Sequence, residues 1–263
     1  MNTAAEWRLA LERVKEWGGR VVVVAECGST MDVARAEPAS SGGAEVCVVA
    51  LSQTHGRGTH GRVWDHAIDS CGPLGVAMTV TFDARRVDQA LLSLAVGVAV
   101  CEVANHFADD TKCFGVKWPN DVVLRADGRK LAGVLIERTG DALLVGVGLN
   151  VLHAREDYPA GERDKRCSLS QVGSQVSTLD AACALLSALA LCTQGDVVAR
   201  WRAMDVLVGT RRVFVYDNRE YAGVVIALDP IGEIVVRLED GTLKHLQAAG
   251  TRVAGGTPAL HLL

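Results

Sequence analysis

The chain has 263 residues, a net charge of −4 at neutral pH and a pI near 6.0. Apolar residues make up 49% of it, which is enough for a sizeable core and too much for a disordered chain. The acidic balance argues against a nucleic-acid-binding surface, and no charge-free apolar run in the sequence has the length of a membrane span. We therefore expect a globular cytoplasmic protein that holds one full domain and a small second one.

The eight cysteines show no sign of a metal site or a disulfide framework. None of them forms a Cys-x-x-Cys pair, and four lie inside apolar runs, namely Cys47, Cys101, Cys183 and Cys192. Cysteine in such a run behaves as a small buried hydrophobe. We expect reduced thiols and no metal held by cysteine.

Apolar periodicity and capping signals predict an alternation of helices and strands up to about residue 201. Helices are predicted, in chain order, at 3–17, 30–36, 87–107 and 179–201. Strands are predicted at 21–25, 46–51, 74–82, 116–118, 122–124, 131–137 and 142–148, with a hairpin turn at 127–128.

The character of the sequence changes after residue 207. Short alternating strands follow, separated by turns at 217–218, 229–232 and 240–241, which is typical of a small β-barrel. The elements together predict an α+β fold, in which a mixed β-sheet core is flanked by helices and followed by a small C-terminal β-barrel. We predict two domains, residues 1–207 and 208–263.

Three segments concentrate glycine and charge. They read QTHGRGTHGRVW at 53–64, KWPND at 117–121 and KLAGVLIE at 130–137. Glycines let backbone N–H groups approach a ligand, and arginines clamp carboxylate or phosphate oxygens in a bidentate fork. Together the segments indicate a site for a small carboxylic acid and a nucleoside triphosphate.

The three segments, in this order, resemble the biotin protein ligases. Two further landmarks of that family are GST at 28–30 and GVGLNV at 146–151, so the resemblance runs from about residue 20 to the C-terminus. Each piece alone is weak evidence, because glycine-arginine loops occur in many folds. Five pieces in the family's order make the resemblance specific.

The resemblance implies a class II synthetase-like catalytic core at 1–207 and an SH3-like module at 208–263. It also implies a two-step reaction. Biotin is activated with Mg²⁺ and ATP to biotinyl-5′-AMP, and the biotinyl group then passes to a lysine of a biotin carboxyl-carrier domain of a biotin-dependent carboxylase. Negative charge that develops on the α-phosphoryl oxygens is stabilised by fixed cations and N–H donors.

The family's motifs carry its site residues onto this chain. The catalytic residues implied are Lys130 and Arg57. The implied biotin contacts are Ser29, Thr30, Met31, Gln53, Gly56, Arg57, Gly58, Thr59, Lys130 and Gly133. The implied ATP contacts are Arg57, Gly58, Arg62, Trp64, Lys117, Asn120, Asp121, Gly148 and Asn150. Asp121 is also the implied Mg²⁺ ligand, since that ion prefers hard oxygen donors.

Structural explanations compete with several of these roles. Ser29 and Thr30 are also good helix caps, which does not exclude ligand contact. Trp64 either stacks on adenine or anchors its loop in the core. Asn120 and Asp121 also suit a turn that follows Pro119.

Two other functions compete with a biotin ligase. A lipoyl or octanoyl ligase of the same superfamily would use a similar sheet, but its arginine, glycine-run and His-Asp signature is missing from the sequence. A non-enzymatic biotin-responsive regulator would need a helix-turn-helix, and only one helix is predicted before the first strand. We expect a short-form ligase without that module, either a monomer or a homodimer, that binds no nucleic acid or membrane.

Two positions depart from the family pattern. Position 59 is threonine where arginine is common, and position 31 is methionine where asparagine is usual. A neutral hydroxyl cannot form the charge-assisted fork of an arginine, so we expect Thr59 to retain the adenylate less tightly. Slower release of adenylate from Thr59→Arg would support this expectation, and equal release rates would refute it.

Overall fold

The computed structural model describes residues 3–37, 45–58, 64, 68–69, 72–110 and 112–254. Its helices are α1 (Ala4–Leu11), α2 (Thr30–Ala36), α3 (Gln89–Phe107), α4 (Thr178–Ala190) and α5 (Val197–Met204). Its strands up to residue 150 are β1 (Arg20–Cys27), β2 (Val46–Gln53), β3 (Ile68–Asp69), β4 (Gly72–Pro73), β5 (Gly75–Asp83), β6 (Phe114–Lys117), β7 (Asp121–Leu124), β8 (Lys130–Thr139) and β9 (Ala142–Asn150). Five more follow, β10 (Arg211–Tyr216), β11 (Arg219–Leu228), β12 (Glu233–Leu238), β13 (Leu243–Gln247) and β14 (Thr251–Val253).

The predicted α+β architecture is confirmed. A seven-stranded sheet has the order β1-β2-β5-β9-β8-β7-β6, in which β1 and β2 are parallel and the other neighbours are antiparallel. A second sheet, antiparallel and five-stranded, has the order β13-β12-β11-β10-β14, in agreement with the predicted SH3-like module. The strands β3 and β4 form a separate two-stranded ribbon.

The helices cover the large sheet unequally. One face carries α1, α3, α4 and α5 over the main apolar core, whereas α2 lies against β2, β5 and β9 with a small second cluster around Met31. By length and composition α3 could cross a membrane, but most of it is buried inside the protein. It is therefore a helix of the protein core.

Two predicted helices are shorter than expected. The first ends at Leu11 instead of residue 17, because the residues that follow form i→i−3 hydrogen bonds. These turns still place Val14 and Trp17 against the core. The predicted helix at 179–201 is two helices. Gly195 takes a φ of +74°, and the Asp196 carboxylate then caps a new helix by accepting from the Ala199 N–H at 2.9 Å.

The second sheet is tied to the first at the β6–β7 hairpin. The indole N–H of Trp118 donates to the Pro230 carbonyl, between β11 and β12, at 3.1 Å. After β7 the Arg125 guanidinium donates to the carbonyls of Met204 and Asp205, which fixes the end of α5 just before the second sheet. One apolar cluster runs through both sheets, and it includes Phe214. The motif at 117–121 is thus held from the C-terminal side.

Gly115 in β6 lets residues 204–206 pack closely against the strand, so we expect Gly115→Ala to destabilise the protein. Its Cβ would lie 2.3 Å from Val206 Cγ1 and 2.7 Å from the Met204 carbonyl oxygen, which belongs to the backbone and cannot swing away. Overpacking of this kind costs about 1–3 kcal/mol of unfolding free energy.

Urea unfolding measures this cost. Gly18→Ala is the matched control, because nothing lies within 4 Å of a Cβ at Gly18. Equal stability of the two variants would contradict the packing that we describe.

Candidate active site

The candidate site is a pocket on the α2 side of the large sheet, with an empty volume of about 470 Å³. Many of the predicted site residues line it, namely Ser29, Thr30, Met31, Gln53, Arg57, Gly58, Trp64, Asn120, Lys130, Gly133 and Gly148. Lining residues that the sequence did not single out are Ala77, Met78, Val134, Leu135, Gly146 and Val147.

Three glycines form the floor of the pocket. Gly133 and Gly148 are partners across β8 and β9, and Gly146 lies two residues before Gly148. A Cβ on Gly148 would be 2.2 Å from Trp64 Cε2, one on Gly133 would be 2.8 Å from Lys130 Nζ, and one on Gly146 would be 2.7 Å from Met31 Sδ. Three side chains therefore lie directly on the backbone of the sheet.

One end of the pocket is built by the start of α2 and the end of β2. The Gln53 Oε1 atom accepts from the Thr30 N–H at 2.8 Å and from the Thr30 hydroxyl at 3.2 Å, and Thr79 donates to that hydroxyl at 2.8 Å. Because a backbone N–H can only donate, it fixes the oxygen of Gln53 toward Thr30 and leaves the NH₂ group as a donor on the other side. The Ser29 hydroxyl caps α2 by accepting from the Met31 N–H.

The glycine-rich loop is closed at its base by backbone contact. The Trp64 N–H donates to the Gly56 carbonyl at 2.8 Å, and a Cβ on Gly56 would be 2.3 Å from the Trp64 carbonyl oxygen. Gly56 thus serves the close approach of two chain segments and does not itself line the pocket. The predicted contacts Thr59 and Arg62 lie outside the described residues.

Lys130 is fixed in three ways. Its Nζ atom forms an ion pair with Asp121 Oδ1 at 2.5 Å and lies 5.5 Å from the ring centroid of Trp64. Its backbone N–H donates to the Lys165 carbonyl at 2.7 Å, and its carbonyl accepts from the Cys167 N–H at 2.9 Å. The side chain is 28% exposed, so a cation is held at the pocket wall with access to a ligand.

Asn120 is held by β8 and faces the pocket. Its amide donates to the Val134 carbonyl at 2.7 Å, and its own carbonyl accepts from the Val134 N–H at 3.0 Å. Lys117 and Asp121 flank it without lining the pocket. Asn150 is 1% exposed and donates to the Cys167 carbonyl at 3.0 Å, so the structure gives it a packing role, and its nucleotide contact stays a prediction.

Arg57 lies at the mouth of the pocket in a charged cluster that the sequence did not reveal. Its two terminal nitrogens donate to Asp32 at 2.7 and 2.8 Å, and Arg35 and Glu137 complete the cluster. Hydrogen bonding from Arg57 holds the pKa of Asp32 below its usual value, against an opposing effect of burial. In the sequence, the cluster could have been suspected only from Asp32 and Arg35, which lie three residues apart on α2. Such pairs are common on exposed helices and do not indicate a site.

Arg166 is a further cation that sequence reasoning missed. Its guanidinium lies 5.5 Å from the ring centroid of Trp64, and its Nε donates to Glu162 at 3.3 Å. Lys130 approaches the same ring, so the indole lies between two cations and the glycine floor. Nothing in the sequence near Arg166 indicated this position.

A metal site formed by protein ligands alone does not emerge in the described part of the chain. No group of three or more His, Cys, Asp or Glu side chains comes together there, and the Asp121 carboxylate is paired with Lys130. The seven cysteines that the structure describes are all free thiols. Asp121 as a Mg²⁺ ligand stays a prediction.

Part of the chain is similar in sequence to a known class of protein, the biotin and lipoate ligases. Residues 29–152, just under half of the chain, match the sequence model of the biotin/lipoate A/B protein ligase family. The match contains the glycine-rich loop and both lysine motifs.

Three individual proteins are similar to this chain in sequence or in fold. The chain is 42% identical over 137 residues to a biotin–acetyl-CoA-carboxylase ligase from Mycobacterium tuberculosis, an alignment that covers 51% of this chain and 50% of the relative. It thus spans about half the length of that protein. The biotin protein ligase from Aquifex aeolicus, in complex with biotin and ATP, has a TM-score of 0.74 at 21% identity, with 90% of this chain and 99% of that chain covered. The Leishmania major ligase, in complex with biotinyl-5-AMP, has a TM-score of 0.59 at 27% identity, with 87% and 99% covered.

We expect Gly148→Ala to displace the Trp64 ring, because the new Cβ would lie 2.2–2.5 Å from three ring atoms. The indole would lose its place on the sheet and become more accessible to solvent. Acrylamide quenching of tryptophan fluorescence should therefore increase.

Gly148→Ala in a Trp64→Phe background is the control, because that protein keeps the other four tryptophans and lacks only the ring at position 64. An increase that persists in that background would show that the change comes from elsewhere in the protein.

Proposed function

We propose that this protein is a biotin protein ligase. It joins biotin to ATP as biotinyl-5′-AMP, with release of pyrophosphate, and transfers the biotinyl group to a lysine of a biotin carboxyl-carrier domain. The observation that carries the proposal is Lys130, a fixed and accessible cation at the wall of a pocket whose opposite end offers polar donors. The acceptor that we propose is the carrier domain of a carboxylase such as acetyl-CoA carboxylase.

The pocket has an end suited to the ring of biotin. A ureido group needs both donors and acceptors, and the NH₂ of Gln53 with the hydroxyls of Ser29 and Thr30 supplies such groups beside the apolar Met31. Backbone N–H groups near Gly58 would let the ligand lie close to the main chain. We assign the biotin ring to this end.

The opposite part of the pocket suits the nucleotide. Trp64 offers an aromatic face above the glycine floor at Gly148, and Asn120 is fixed beside it. We assign adenine and ribose to this side, with Lys117, Asp121 and Asn150 in supporting positions. Arg62 would reach the phosphates from the loop.

Lys130 and Arg57 have the charge that the chemistry needs at the junction. The biotin carboxylate attacks the α-phosphorus, a bond forms between them, and the bond to pyrophosphate breaks. Charge on the transferred phosphoryl oxygens is stabilised by a cation that is already in place, and Asp121 with the backbone of 165–167 keeps Lys130 in place. In the second step the acceptor lysine displaces AMP from the mixed anhydride, which must be shielded from water until then.

Mg²⁺ fits this site as part of the Mg²⁺–ATP substrate. Magnesium is commonly held by substrate phosphates with one or two protein carboxylates, and it keeps several waters. Asp121 is the nearest candidate carboxylate, but its pairing with Lys130 competes with that role. The ion would neutralise phosphate charge, and the protein's own cations would orient the reacting oxygens.

We further propose a division of labour along the chain. Residues 1–207 form the catalytic unit, and 208–263 form a module that supports the 117–121 segment through Pro230 and Trp118. We place the reaction in the cytoplasm, where free thiols such as those of this chain stay reduced.

The test is a reaction of the protein with ATP, Mg²⁺, labelled biotin and a carrier domain. We expect pyrophosphate release that depends on biotin, followed by label on the carrier lysine. A parallel reaction with lipoate distinguishes the related ligases. Faster turnover with lipoate, or pyrophosphate release that ignores both acids, would refute the proposal.

We expect Lys130→Ala to slow adenylate formation by about two to four decades, because it removes the cation at the transferring phosphoryl group. Lys165→Ala is the matched control. That lysine lies close in space, since its backbone carbonyl accepts from the Lys130 N–H, but its side chain is 62% exposed and pairs with Glu162.

Single-turnover formation of adenylate measures the effect, and circular dichroism checks the fold. If the two variants form adenylate at the same rate, Lys130 has no catalytic role.

A further inference from the structure

Both forks of the Arg57 guanidinium face carboxylates of the protein itself. A guanidinium offers two edges for bidentate contact, one formed by the two terminal nitrogens and one formed by Nε and a terminal nitrogen. The first edge is bound by Asp32 at 2.7 and 2.8 Å, and Nε lies 3.9 Å from Glu137 Oε1. A ligand carboxylate or phosphate can therefore gain a bidentate contact only when Arg57 gives up one of these partners.

Arg35 shares both of those partners. It donates to Asp32 Oδ1 at 2.7 Å through one terminal nitrogen and to Glu137 through the other. The two arginines and two carboxylates form a cluster without net charge at the mouth of the pocket. If Arg57 turned to a ligand, Asp32 and Glu137 would still keep one cation between them.

We propose that Asp32 and Glu137 compete with the ligand's acidic group for Arg57, and that Arg35 lowers the cost of this exchange by retaining both carboxylates. Asp32 and Arg35 would then set the affinity for biotin without touching it. The inference rests on the proposed function, because it takes the carboxylate of biotin or the acyl-phosphate as the group that Arg57 binds.

The exchange predicts effects of opposite sign. Without the charge of Asp32, Arg57 is released more easily and the ligand binds more tightly. Without Arg35, Arg57 is the only cation left in the cluster for two carboxylates, so it is released less easily and the ligand binds more weakly. A purely structural role for the cluster would weaken binding in both cases, since either substitution breaks it.

The magnitude follows from the exposure of the cluster. The side chain of Asp32 is 51% exposed and that of Arg57 is 37% exposed, so solvent screens their attraction. Exposed ion pairs are usually worth only a small coupling energy, which corresponds to a change in affinity of about two- to fivefold. The direction of each change is thus the stronger criterion.

The experiment measures the dissociation constant of labelled biotin by equilibrium dialysis for the full chain and four variants. These are Asp32→Asn, Arg35→Gln, the double variant Asp32→Asn/Arg35→Gln, and Arg8→Gln as a control. Arg8 also forms an ion pair on a helix, with Glu12, but it lies on α1. Circular dichroism confirms that each variant is folded.

We expect Asp32→Asn to lower the dissociation constant by about two- to fivefold and Arg35→Gln to raise it by a similar factor. The double variant should lie between them, and Arg8→Gln should equal the natural chain. Dissociation constants that rise in both single variants, or that do not change, would overturn the exchange while leaving the proposed function intact. If the natural chain binds no biotin, the proposed function fails, and the exchange falls with it.

Discussion

The site depends on one packing constraint, the absence of a side chain at three positions on the pocket side of β8 and β9. Gly133, Gly146 and Gly148 leave bare backbone there, and a Cβ on any of them would lie within 2.8 Å of a neighbouring side-chain atom. Met31, Trp64 and Lys130 rest on that surface, and each comes from a different part of the chain. A side chain on the floor would therefore disturb the ring end, the aromatic wall and the central cation of the pocket.

Both cations that line the described part of the pocket are paired with carboxylates of the protein. Lys130 is paired with Asp121, and Arg57 is paired with Asp32, in a chain whose overall charge is only −4. Before an anionic ligand binds, a partly buried cation costs less free energy when a carboxylate of the protein is paired with it. On the exchange that we propose for Arg57, the strength of its pair with Asp32 limits the affinity for the ligand.

The tryptophan of the 117–121 motif has a role in packing. Trp118 is 5% exposed, and its indole N–H bonds the Pro230 carbonyl in the C-terminal sheet. Two residues later Asn120 is locked to β8 by a pair of hydrogen bonds with Val134. A short motif thus combines a contact to the second sheet with a residue that lines the pocket, and the two sheets share one apolar cluster.

The sequence by itself determined the α+β fold, the two sheets and most of the residues that line the pocket, because periodicity, turn residues and short motifs are local properties. The predicted helices at 3–17 and 179–201 were too long. In both segments turns interrupt or end the helix, and the apolar residues keep a spacing that is also typical of a helix. Only the tertiary structure decided the partners of each charge. Asp32 and Arg57 lie 25 residues apart, and the contact of Arg166 with Trp64 joins segments that are even farther apart. Such pairs depend on how the strands bring distant loops together, and no local pattern records that.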